Sequence, residues 1–158
     1  MNKYKLEIKW ALYFTAMMLL WMVGERIAGL HDVNIAQHAT YTNFVAIPAI
    51  LVYVLALLDK RKKDLGGRMN YKQGFIAGLW ITLFVTILSP VTQLITSLVI
   101  SPDYFKNVIE FAVSEGTMTR EEAEDYFNLG SYLKQTVMFT PVMGIITTAI
   151  VAIFTRKS

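Results

Sequence analysis

A chain of 158 residues is one domain's worth of protein, and this one is 54% hydrophobic with only 17% charged residues. Soluble domains carry about 25% charge spread along the chain; here mean hydropathy is +0.43, and the charge is confined to short blocks between nearly uncharged stretches. The net charge of +3 is modest, and the lack of cysteine excludes disulfides, iron–sulfur clusters and thiol catalysis.

The first uncharged stretch runs from Trp10 to Gly24 behind Lys3, Lys5 and Lys9. It has the charge pattern of a signal peptide, but Met22, Val23 and Gly24 offer no small-residue cleavage pattern, so an uncleaved helix is expected. The second stretch, Ala39 to Leu58, lies between His38 and Asp59; the third, Gln73 to Pro102, between Lys72 and Asp103; the fourth, Gln135 to Thr155, between Lys134 and Arg156. A helix needs roughly 20 residues to span a bilayer, and lipid admits no open strands or loops. A single transmembrane domain is predicted, with helices over about 8–30, 40–59, 71–101 and 132–155. The first is marginal, because its uncharged part covers only about 22 Å at 1.5 Å per residue. Glu25 and Arg26 would then sit at its outer mouth.

Lysine and arginine set the expected orientation. Lys3, Lys5, Lys9, Lys60, Arg61, Lys62, Lys63, Arg68, Lys72, Arg156 and Lys157 fall on one side, and Arg26, Lys106, Arg120 and Lys134 on the other. Positive residues are retained in the cytoplasm, which places both termini and the basic 59–72 loop there. That loop, with Gly66-Gly67 as its flexible point, reads as a topology determinant resting on anionic headgroups rather than a nucleic-acid site. The loop at 102–130 is acidic: Asp103, Glu110, Glu115, Glu121, Glu122, Glu124 and Asp125 against Lys106 and Arg120. Ser101-Pro102-Asp103 can open a helix that Gly116 stops, and Thr119 with Glu122 forms a capping box for a second that Gly130 can close. Tyr104, Phe105, Val108, Ile109 and Ala112 give the first of these an apolar stripe. The expected fold is therefore an all-α, four-helix membrane bundle with a short acidic helical hairpin on the extracytoplasmic side between helices 3 and 4.

Polar residues inside the spans are the candidate site. Thr82, Thr86, Ser89, Gln93 and Thr96 share one face of the third helix, where Pro90 should free the carbonyl of Thr86. On the fourth helix, Thr140, Gly144, Thr148 and Ala152 place a small residue every four positions, a ridge on which another backbone can pack closely. The second helix presents Asn43, Ala46, Ala49, Tyr53 and Ala56. These faces are expected to meet in the bundle centre. Two readings stay open: a packing surface, or an outward-facing polar vestibule formed by Asn43, Ser89, Gln93 and Thr140, with Glu25 just above. Glu25 itself reads either as an interfacial residue or as a buried acid, and Arg26 as a side chain reaching the headgroups. His31, Asp32 and His38 in the first outer loop bring imidazole and carboxylate together, but match no dedicated metal spacing and read as a surface cluster. The sequence has no phosphate loop, nucleophile elbow or dinucleotide fingerprint, so neither catalysis nor a metal or other cofactor is expected.

The runs GLHDVNIAQHATYTNFVAIPAILVYVLALLDKRK, MNYKQGFIAGLWITLFVTILSP, EEAEDYFNLGSY and MGIITTAIVAIFTRK resemble a family of small bacterial inner-membrane proteins, the domain-of-unknown-function group 4199. The resemblance covers essentially the whole chain. It implies four helices and the bacterial cytoplasmic membrane, and supplies no catalytic residues. Two function classes follow as expectations. One is a non-enzymatic membrane-complex component that meets the bilayer and other proteins through small-residue helix faces or the outer hairpin. The other is an oligomeric transporter or channel-like subunit using the vestibule. A second copy or another membrane protein is the expected partner, and nucleic acid is not.

Overall fold

The computed structural model describes residues 4–157; Lys3, counted above among the basic residues, lies outside them. Seven α-helices follow in chain order: α1 (Lys5–Ile27), α2 (Ile35–Tyr41), α3 (Ala46–Lys63), α4 (Tyr71–Ile95), α5 (Tyr104–Ser114), α6 (Arg120–Tyr126) and α7 (Leu129–Thr155). A 3-10 turn at Thr42–Val45 joins α2 to α3, and a π-helical turn at Thr96–Ile100 extends α4. Among the described residues there is no strand, only an isolated antiparallel bridge between Met69 and Lys157. Four helical stretches are long and apolar enough to cross a membrane: Lys5–Ile27, Ile35–Lys63, Tyr71–Ile100 and Leu129–Thr155. By length and composition these four helices suggest a membrane protein.

The helix ends differ from the sequence expectation for identifiable reasons. The first helix begins at Lys5, three residues earlier than expected, taking in charged Glu7, which finds a partner on α3: Lys60 Nζ lies 2.7 Å from Glu7, and next to it Lys9 Nζ lies 3.1 Å from Asp59. It ends at Ile27, two residues before Gly29 takes φ 75° and reverses the chain. The third helix runs on through Lys60–Lys63, where four cations face the negative end of the helix dipole, so the turn into α4 is shorter than the basic block suggested. Gly130 does not close the second short helix. That helix stops at Tyr126, and Gly130 lies inside α7, whose start is fixed by the Asn128 side chain accepting the Ser131 N–H at 2.9 Å. Ser101 and Asp103 likewise make no side-chain cap for α5, since the Ser101 hydroxyl is engaged elsewhere.

The most extensive helix–helix contact joins α4 to α7. Ideal Cβ atoms placed on Gly78 and Gly144 would come within 2.3 Å of Thr148 and 2.4 Å of Thr82. The predicted ridge Gly144, Thr148, Ala152 is thus buried within the chain, against Gly74, Gly78 and Thr82 of α4. One end of the bundle is basic and tightly tied: Trp10 Nε1 donates to Asp59 at 2.9 Å, Arg61 donates to the Thr155 carbonyl at 2.8 Å, and Met69 pairs with Lys157. Above it, Ala11, Ala56, Leu57, Ile81, Val151 and Ala152 pack into an apolar core.

At the opposite end α5 packs against α6 and α2, with Val108, Ala112 and Ala123 buried. The α6 capping box is formed: the Thr119 hydroxyl accepts the Glu122 N–H, and the Glu122 carboxylate accepts the Thr119 N–H at 2.8 Å. Those hydrogen bonds from Thr119 hold the Glu122 carboxyl below the ordinary glutamate value. Because the pKa is lower in the folded state, the cap contributes in full above the unfolded glutamate pKa and is lost as pH falls through the folded value. Thr119→Ala is therefore expected to raise amide exchange across Arg120–Tyr126 at neutral pH, with the difference from wild type shrinking on acidification. Equal exchange in both proteins at neutral pH would refute the cap's role.

Candidate functional site

The chain reversal after α1 brings three titratable side chains together. The amide N–H groups of Asp32 and Asn34 both bond to the Gly29 carbonyl, at 3.1 and 2.8 Å, which folds His31 back over Glu25. Glu25 Oε2 lies 3.0 Å from His31 Nε2 and 3.4 Å from His38 Nε2, the latter supplied by α2. Trp21, one helical turn before Glu25, donates Nε1–H to its other oxygen at 2.6 Å. Glu25 and His31 are buried, at 3% and 2% exposure.

The surrounding elements hold the imidazoles in place. The π-helical turn ends with the Ser101 amide bonded to the Thr96 carbonyl at 2.8 Å, and this presents the Ser101 hydroxyl to His31 Nδ1. Asn107 of α5 donates to the His31 carbonyl at 2.9 Å. The Tyr104 ring lies 5.3 Å from each imidazole, and burial pushes its phenol pKa up, so it remains a neutral hydrogen-bonding group facing Tyr132.

Below this cluster lies a string of cavities. One of about 180 Å³ is lined by His31, His38, Ser97, Ser101 and Tyr104 together with Met22, Gln93 and Thr96. A second of about 180 Å³ shares those last three residues and continues to Ser89 and Thr140. Gln93 spans the pair, donating to Ser97 at 2.9 Å and accepting from Thr136 of α7 at 3.3 Å. Deeper still, the Ser89 hydroxyl donates at 2.8 Å to the Thr86 carbonyl, the group that Pro90 leaves without its helical donor. Thr82 meets the Tyr53 hydroxyl at 2.9 Å, where the apolar core begins.

The sequence-predicted residues therefore separate. Ser89, Gln93 and Thr140 share one cavity. Asn43 does not join them: its amide is exposed and donates to the Ala39 carbonyl at 2.6 Å, on a fissure of about 550 Å³ between α3 and α7 that also reaches Thr140. The N-terminal part of α3 stands away from the bundle, so its predicted face reaches the centre only from Tyr53 onward. Glu25 belongs to the histidine cluster rather than to Gln93 and is a buried acid. Asp32 is not part of the cluster and pairs with Arg26 at 3.0 Å, which also occupies the side chain expected at the headgroups. Nor is the histidine group a surface feature, since His31 is buried. Sequence reading missed Trp21, Ser101, Tyr104 and Asn107. The usable signal was the six-residue step from Glu25 to His31 across Gly29, a glycine suited to reversing the chain.

A family model described as "Protein of unknown function (DUF4199)" matches residues 9–157. The chain belongs to this family. The match takes in the three membrane spans from Ile35 onward, all but the first turn of α1, and the whole Glu25–His31–His38 cluster. No curated protein and no solved structure matched the chain. Family membership therefore places the chain without assigning an activity.

Proposed function

We propose that this protein is a non-enzymatic inner-membrane component that receives a small polar ligand from the extracytoplasmic side in a blind vestibule. Its termini and basic end face the cytoplasm, as the lysine and arginine distribution favours, and α5 with α6 forms an acidic helical hairpin over the outer face. The observation that carries this reading is the pair of adjacent cavities, both lined by Met22, Gln93 and Thr96, that together extend from the histidine cluster down to Ser89 and Thr140. Below the histidines, Ser89, Gln93, Thr96, Ser97 and Thr140 supply uncharged donors and acceptors among apolar walls, which suits a neutral or amphiphilic solute.

Partner binding through small-residue faces has less support, because Gly144, Thr148 and Ala152 are consumed within the chain. The outer hairpin also spends part of its apolar stripe internally, at Val108 and Ala112. A transporter or channel-like role would require the packed core around Ile81 and Ala152 to open, or a second copy to complete a path.

The lack of native cysteine makes the test direct. Thr136→Cys and Thr140→Cys are expected to react with a membrane-impermeant thiol reagent added outside intact cells, while Ile81→Cys stays unreactive from either side. Reaction from the cytoplasmic side alone, or none at both vestibule positions, would overturn the reading.

A further inference from the structure

The geometry points to a binding site for one divalent transition-metal ion of the zinc class, held by Glu25, His31 and His38. One carboxylate and two imidazoles offer ligand atoms that all lie within 4.8 Å of one another. Zinc bonds to such atoms measure about 2.0–2.2 Å, so neighbouring ligands around a tetrahedral ion stand about 3.3 Å apart. The separations of Glu25 Oε2 from His31 Nε2 and His38 Nε2, 3.0 and 3.4 Å, bracket that value. The three ligands come from the end of α1, the reversal after it, and α2, so the backbone has already brought them together.

The supporting contacts are those a metal centre uses. Trp21 occupies the carboxylate oxygen turned away from the imidazoles. Ser101 bonds His31 Nδ1, which can fix the tautomer that leaves Nε2 as the metal donor. The adjoining cavity, bordered by His31, His38 and Ser101, leaves a fourth position open to water or another small ligand. The imidazole donors select zinc, cobalt, nickel or copper over calcium or magnesium. Charge agrees with this assignment: Arg26 is committed to Asp32, and among the described residues the ion-pair partners of Glu25 are the two histidines. A divalent cation would balance a buried carboxylate that pairs with no lysine or arginine among the described residues.

The site stands independently of the vestibule reading, since labelling at Thr136 and metal binding at His38 can fail separately. The test is titration of chelator-stripped protein in detergent, purified without a histidine tag, with Co²⁺ followed by displacement with Zn²⁺. Expected are one Co²⁺ per chain, visible bands of a tetrahedral ion, and selective quenching of Trp21. Trp10, near Asp59, and Trp80, beside Tyr4, lie at the far end and report no change. His38→Ala should weaken binding more than Ser101→Ala, for which loss of an orienting partner predicts a roughly 10–100-fold drop. Should His38→Ala fail to fold, His38→Gln replaces it. Wild-type protein that binds no stoichiometric Co²⁺, or leaves Trp21 unquenched, is a plain hydrogen-bonded cluster and overturns the proposal. So does a folded His38 variant that binds Co²⁺ as wild type does.

Discussion

Lys60→Met is expected to destabilise the folded protein by about 3 kcal/mol, near the lower end for breaking a buried ion pair. Glu7 is 2% exposed, and its Oε1 lies 2.7 Å from Lys60 Nζ. Its Oε2 has no hydrogen-bond partner among the described residues, so removing Lys60 strands a buried carboxylate. Its place in the first turn of α1, at the positive end of the helix dipole, recovers part of the cost and sets the estimate at that lower end. Glu7→Met combined with Lys60→Met should regain most of the loss, because an apolar pair of similar volume incurs no charge desolvation. Unfolding of the wild type, both single variants and the double variant in one detergent gives the coupling energy directly. A Lys60→Met protein within about 1 kcal/mol of wild type would show the pair to be an exposed one in effect.

The second large effect is expected at Gly144. An added Cβ would meet Thr82 Cγ2 at 2.4 Å, Oγ1 at 2.6 Å and Cβ at 3.0 Å. Threonine is short and stiff at χ1, and this one is held by the Tyr53 hydroxyl, so the side chain cannot swing clear. α4 and α7 must separate instead, and overpacking of this kind costs about 1–3 kcal/mol. Gly78→Ala meets Thr148 as closely, but the Thr148 hydroxyl has no hydrogen-bond partner among the described residues, so the loss should be smaller. Adding Thr148→Ala to Gly78→Ala should restore most of it. Melting temperatures of these variants decide the matter, and a Gly144→Ala protein as stable as wild type would mean that the two helices are less closely packed than described.

The spans were legible because bilayer thickness demands long uncharged runs, and such runs survive any tertiary arrangement. Thr148 and Gly144 were legible for a related reason, since four-residue spacing on a helix keeps them on one face wherever the helix goes. What the residue pattern did not disclose was non-local. Glu7 looked like chain before the first helix because its partner, Lys60, lies some fifty residues away. Gly130 resembled a helix stop, but the cap at Asn128 outweighs a glycine placed two residues later. The histidine group was divided for the same reason. Glu25 was read with its helix and His31 with its loop, while the hydroxyl that orients His31 arrives from Ser101, seventy residues on.

The packed core at the basic end also has an electrical consequence. Along α4 it extends from Gly74 to Val85, roughly 17 Å at 1.5 Å per residue, against a hydrocarbon layer of about 30 Å. If the proposed vestibule fills with water, a transmembrane voltage falls mainly across that shorter distance, and the local field is raised nearly twofold. The tyrosine and threonine hydroxyls at Tyr53 and Thr82 lie at the upper edge of the steep region, and the Glu7–Lys60 pair at its lower boundary. An ion held at the proposed site of Glu25, His31 and His38 would then stay at the potential of the solution filling those cavities and exchange with it at almost no electrical cost. A charge driven past Ser89 would meet nearly the whole of the about 2.3 kcal/mol per 100 mV within the last few helical turns.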